Sequence, residues 1–146
     1  KIIAFYGDGT YKITDQELSQ KFDTDKLILI EKFNPERIVS AIYLDKEKLQ
    51  FNVKRFKIET TTLGTKFSFI KEGEGNYLEA VTTQEEPILV VQSGRGSQVR
   101  KAKFKIAKAA EVTGWKTVGT KLVDFTKTMT MDWQKSREDK QGELFE

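Results

Sequence analysis

The sequence predicts an all-β fold, a propeller-like array of about three four-stranded blades, possibly incomplete. Three observations carry this expectation. Short apolar segments recur between turn residues, several of them alternate apolar and polar positions, and a strand–turn–strand unit returns at intervals of roughly 40 residues. The unit is seen by aligning the segments that start at Ile2, Leu49 and Ile88: each is an apolar strand, a turn, and a second strand with basic or polar character. The expected blades are residues 1–48, 49–87 and 88–133 of one domain, followed by a charged, mobile tail over 134–146. An unrepeated β-sandwich is the competing architecture for the same pattern.

In chain order, strands are predicted at residues 2–6, 27–30, 38–44, 49–53, 66–70, 77–81, 88–91 and 122–125. Leu49, Phe51 and Val53 alternate with Gln50, Asn52 and Lys54, so one face of that strand meets a core. Phe67 and Phe69 do the same across Ser68. Turn residues sit where hairpins need them: Gly7-Asp8-Gly9 between IIAFY and TYKIT, Asn34-Pro35-Glu36 after LILIEKF, the Gly73–Asn76 stretch before YLEAV, and Gly94-Arg95-Gly96 after ILVVQS. Pro87 marks a strand start. Helix signals are sparse. Residues 15–22 fit two turns, and residues 99–110 fit either period, with strand favoured for their first half.

Composition removes whole classes of chemistry. The chain of 146 residues has no cysteine and no histidine, which excludes disulfide frameworks, thiolate or imidazole metal sites, catalytic triads and histidine bases. No run approaches the roughly 18 apolar residues of a membrane span. The first residues, KIIAFYGDGT, carry neither an initiator methionine nor a signal-peptide pattern, which predicts a piece of a cytoplasmic protein.

Net charge is only +3, but it is unevenly spread. Residues 1–94 carry 13 basic and 15 acidic side chains; residues 95–127 carry nine basic and two acidic ones. Clustered lysine and arginine are the footprint of a polyanion binder, because they release counterions from phosphates. Arg95, Arg100, Lys101, Lys103, Lys105, Lys116 and Lys121 are the candidate phosphate contacts, with Lys54, Arg55 and Lys57 extending the track. Gly114, Trp115, Lys116, Gly119 and Lys121 form a glycine- and lysine-rich loop in which glycine would let the backbone approach phosphates. A solvated lysine face, or a basic face that meets an acidic protein, fits the same charges. No G-x-G is followed by a nucleotide fingerprint. Asp23 and Asp25 suggest a metal pair but read more simply as loop carboxylates. The four tyrosines lie in or beside apolar strands and read as packing; Trp115 and Trp133 read as aromatic burial between blades before they read as base-stacking platforms. A carbohydrate-active β-fold with paired carboxylates finds little support in the scatter of Asp and Glu.

The order ILVVQSGRGSQVRKAKF followed by GWKTVGTKLVDF resembles a blade of the C-terminal β-pinwheel of bacterial type IIA topoisomerase A subunits, gyrase A and topoisomerase IV A. Residues 31–61 are similar to a blade-to-blade connection of the topoisomerase IV subunit. The resemblance covers roughly residues 1–133. It implies sequence-nonspecific binding and bending of duplex DNA by a non-catalytic domain. It further implies a parent enzyme, an A2B2 heterotetramer of the bacterial cytoplasm and nucleoid, that cleaves and religates DNA with a tyrosine outside this chain. Mg²⁺ and ATP, the latter in the B subunit, would serve that parent; no cofactor is implied here. The gyrase box Q-R-R-G-G-K-G has no equal in this chain, and TGWKTVGTK is a degenerate counterpart with Trp115 in place of a basic residue or glycine. The resemblance is therefore closer to topoisomerase IV, without gyrase-type wrapping.

Overall fold

A computed structural model describes residues 1–15 and 26–135. The expected helix at 15–22, the Asp23 and Asp25 pair, and the tail from residue 136 onward lie outside the described residues, apart from Asp15.

The described residues form twelve strands. They are β1 (Ile2–Tyr6), β2 (Thr10–Thr14), β3 (Leu27–Lys32), β4 (Val39–Asp45), β5 (Gln50–Phe56), β6 (Lys66–Ser68), β7 (Tyr77–Thr82), β8 (Ile88–Ser93), β9 (Arg100–Lys105), β10 (Val112–Thr113), β11 (Thr120–Asp124) and β12 (Thr130–Trp133), with one helical turn, α1 (Ile106–Ala109), after β9. They make three sheets: β3-β1-β2-β6; β10-β5-β4-β7 with β11 also on β5; and β12-β8-β9. The domain is thus an all-β array of three blades, the third with three strands.

Each blade grows from a hairpin, β1–β2, β4–β5 or β8–β9, whose two strands pair antiparallel. A third strand joins the first strand of the hairpin: β3 on β1, β7 on β4, β12 on β8. The fourth strand comes from further along the chain. Strand β6, which follows the second hairpin, pairs with β2 of the first blade, and β11, which follows the third hairpin, pairs with β5 of the second. Successive blades are therefore laced together by exchanged strands. This also corrects the repeat: the second unit begins at Val39, and Leu49 falls in the tight turn before β5, at φ 51°.

Strand alternation fills two cores. Ile3, Phe5, Tyr11 and Ile13 of the first blade pack on Val39, Ala41, Phe56, Leu78 and Val81 of the second, with Phe69 edge-on to Phe5. The opposite face of the second blade, through Ile42, Leu44, Phe51, Val53 and Ala80, packs on Leu89, Val91, Ile106 and Met131 of the third. The second blade is consequently the middle layer, apolar on both faces, which explains the fully buried run along β4. Asp45 at the end of β4 is buried as an anchor, accepting hydrogen bonds from the Lys48 amide and the Lys71 ammonium. No helix among the described residues is long and apolar enough to cross a membrane.

Candidate nucleic-acid interface

The basic segment opens in the β8–β9 turn and runs along β9. Register fixes the faces of that strand. Ala102 and Phe104 stand opposite Val91 and Leu89, and Phe104 packs against the second core. Lys101, Lys103 and Lys105 stand opposite Gln92, Val90 and Ile88 on the other face, which no blade covers among the described residues. Three ammonium groups therefore project from alternate positions of one strand, about 6.6 Å apart along it at the usual rise. None of the three makes a salt bridge among the described residues. Arg95 in the turn and Arg100 at the strand start are exposed as well, Arg100 with the opposite strand parity.

The remaining candidates divide differently. Lys116 is exposed on the loop before β11, its Nζ 5.3 Å from the centroid of the Trp115 ring. Lys121 on β11 is exposed but paired with Asp124 at 2.6 Å, and Lys57 is paired with Glu36 at 3.6 Å. Arg55 is half-buried, donating from Nη1 to the Ala110 carbonyl at 3.3 Å and from Nε to Ser40 Oγ at 3.4 Å.

Lys54 leaves the track altogether. Its side chain is 1% exposed, and its three ammonium protons meet the carbonyls of Phe69, Trp115 and Thr117 at 2.5, 2.6 and 2.6 Å. Every donor is used, and a phosphate has no access. The expected phosphate contact is instead an internal clamp. It joins the segment after β6 to the glycine- and lysine-rich loop, the two walls of a shallow cleft of about 190 Å³ between residues 68–72 and 115–118. Burial pulls the Lys54 pKa down to about 8. The three carbonyl acceptors favour the charged form and work against that shift.

The same loop is fixed at two further points. Tyr43 donates its hydroxyl to the Val118 carbonyl at 2.6 Å and accepts from the Asn52 amide at 3.1 Å. Gly119 has φ 88° and lies so close to β5 that a β-carbon would stand 2.5 Å from the Val53 carbonyl oxygen. Trp115 turns inward, edge-on to Tyr11 and Phe67. Aromatic burial, the reading preferred from sequence, is what the structure shows for Trp115. The loop is thus rigid and presents Lys116 outward. Sequence reasoning did not assign Tyr43 or Lys54 to it; the one signal available was that a buried tyrosine needs a partner for its hydroxyl.

Among the described residues no three Asp or Glu side chains converge as a metal site. The described residues thus form a scaffold of exchanged strands that carries a row of exposed cations. The family model of the topoisomerase C-terminal domain of Bacteroidota matches residues 1–128. The chain belongs to the topoisomerase C-terminal domain family. No curated protein matches it. The match spans the first two blades and most of the third, β9 included.

Proposed function

We propose that this topoisomerase C-terminal domain binds duplex DNA without sequence preference and bends it across the third blade. The observation that carries the reading is the row Lys101, Lys103 and Lys105 on one uncovered face of β9, without carboxylate partners among the described residues. Phosphates are the polyanion such a row fits: contacts to them position a duplex and carry no base information. Arg95, in the turn before β9, extends the strip at one end; Arg100 projects from the other face of the strand and Lys116 from the separate loop before β11, so each would meet DNA outside the row, and Lys121 joins only if its bond to Asp124 opens. The domain acts by presenting a DNA segment, and the enzyme it serves is a type IIA topoisomerase of the topoisomerase IV kind, A2B2 in the bacterial cytoplasm. In that assignment the cleavage tyrosine, Mg²⁺ and ATP belong to other parts of the enzyme, and no residue described here takes a catalytic role.

Fluorescence anisotropy of this chain with a labelled duplex of about 40 base pairs tests the reading. Three to five phosphate contacts give a log–log salt slope of about −3 to −5 between roughly 50 and 200 mM salt. Affinity should not change when the sequence is permuted. No binding at the lowest salt, or binding indifferent to salt, overturns the proposal.

A further inference from the structure

Among the described residues the exchange of strands follows a rule twice and is not repeated a third time. The second strand of the first hairpin, β2, is covered by β6, and the second strand of the second hairpin, β5, is covered by β11 and β10. The second strand of the third hairpin, β9, pairs with β8 alone among the described residues. Its outer edge is six residues long, RKAKFK, free of glycine and proline, and five of the six residues are exposed. An unpaired edge of this length is a template for another strand.

We infer that the outer edge of β9 is a strand-addition site for an extended segment of a partner protein in which acidic and apolar residues alternate. The pattern follows from geometry. Both existing fourth strands run antiparallel to the strand they cover. In an added antiparallel strand, side chains directly opposite lie about 4.5–5.5 Å apart, where unlike charges attract and like charges repel. Positions opposite Lys101, Lys103 and Lys105 therefore take Asp or Glu. Positions opposite Ala102 and Phe104 lie on the face turned to the second core and take apolar residues that extend it. A second copy pairing through its own β9 would set cation against cation, and the charge of the strand excludes it. Backbone hydrogen bonds supply the affinity in such additions and alternate side chains the specificity. The inference does not depend on DNA binding, since its pairing uses the backbone groups at the edge of β9, although the carboxylates of an added strand and a duplex would compete for Lys101, Lys103 and Lys105.

The probe is a capped seven-residue peptide of alternating glutamate and valine, added at millimolar concentration to the ¹⁵N-labelled chain. Hydrogen exchange of the outward-facing amides within Arg100–Lys105 should slow at least tenfold. The same peptide N-methylated along its pairing edge, which keeps its charge and loses its donors, should leave them unprotected. The double variant Lys101→Glu/Lys103→Glu should weaken peptide binding at least tenfold. Three results overturn the inference: no protection by the peptide, equal protection by the N-methylated peptide, or slow exchange of those amides in the free chain, which would mean the chain covers its own edge. The duplex titration can fail or succeed with any of these.

Discussion

Strands β5 and β9 occupy the same place in successive blades and carry similar sequences, QFNVKRF and RKAKFK, yet their cations have opposite fates. The outer edge of β5 is covered by β11 along residues 50–53 and by β10 at Arg55 and Phe56, and both faces of the strand meet a core. Lys54 has no route to water and is satisfied by three carbonyls. Strand β9 has no covering strand among the described residues, and its lysines stand in solvent. A lysine on a strand of this fold is thus buried as a clamp or left in solvent according to whether an exchanged strand covers it, and the residue type alone does not decide it.

The sharpest way to break the comparison is to remove the clamp. Lys54→Met keeps most of the length and the apolar stem but leaves the buried Phe69 carbonyl and the part-buried Trp115 and Thr117 carbonyls without their donor, a buried one costing about 1–3 kcal/mol when unsatisfied. Removing a buried cation returns part of that cost. A net loss of about 3 kcal/mol in urea unfolding is expected, with Lys116 freed from its fixed loop. A loss below about 1 kcal/mol would mean that the loop finds other partners and that β5 is not held by its lysine.

A pair of glycines repeats the contrast at smaller scale. Gly119 lies against β5 with positive φ and no room for a β-carbon, whereas Gly96, at φ 56° in the β8–β9 turn, has no atom within 4 Å. Gly119→Ala should cost about 2 kcal/mol through backbone displacement added to the left-handed conformation, and Gly96→Ala about 1 kcal/mol from the conformation alone. Equal losses in thermal unfolding would show that the loop is not pressed onto β5.

The exposed lysines should behave in the reverse manner. Replacing Lys101, Lys103 and Lys105 with glutamine should change stability by less than about 0.5 kcal/mol, as surface substitutions do. The same change should lower duplex affinity by about tenfold or more and reduce the salt slope by about 2–3. Glutamine at Lys26 and Lys32, near and on β3 of the first blade, should leave affinity nearly unchanged. If the two sets reduce binding equally, the strip is not where DNA lies.

Much of this scaffold was legible. The apolar segments at 2–6, 38–44, 49–53, 77–81 and 88–91 all became strands, because alternation along a hairpin is written locally. In residues 99–110 the first half, where strand is favoured, forms β9, and the half left open forms a single helical turn. What stayed hidden was non-local. Strand β6 has three residues and β10 has two, too short for a period to register, and their partners are chosen by blade packing. The start of the second unit was misplaced to Leu49 because β5 alternates more clearly than the uniformly apolar β4, which is buried on both faces. Lys54 read as a surface cation because its acceptors lie 15, 61 and 63 residues away.

The smallest expected effect separates the two kinds of lysine by pH. With a pKa near 8 in the folded chain against an ordinary value of 10.5, Lys54 binds fewer protons folded than unfolded between those limits. Stability then rises with pH across that window, since the unfolded chain is the more protonated state. From pH 7 to 9 the gain should be about 1.3 kcal/mol, and Lys54→Met should abolish it. Above about pH 10 the sign reverses: Tyr11, pushed up to about 12 mainly by burial, resists ionisation in the folded chain while the unfolded one ionises. The measurement therefore belongs between pH 7 and 9. A flat wild-type profile there would mean that the three carbonyls hold the ammonium charged despite its burial. The clamp of β5 would then be a permanent buried cation, set against the solvated cations of β9 by location alone.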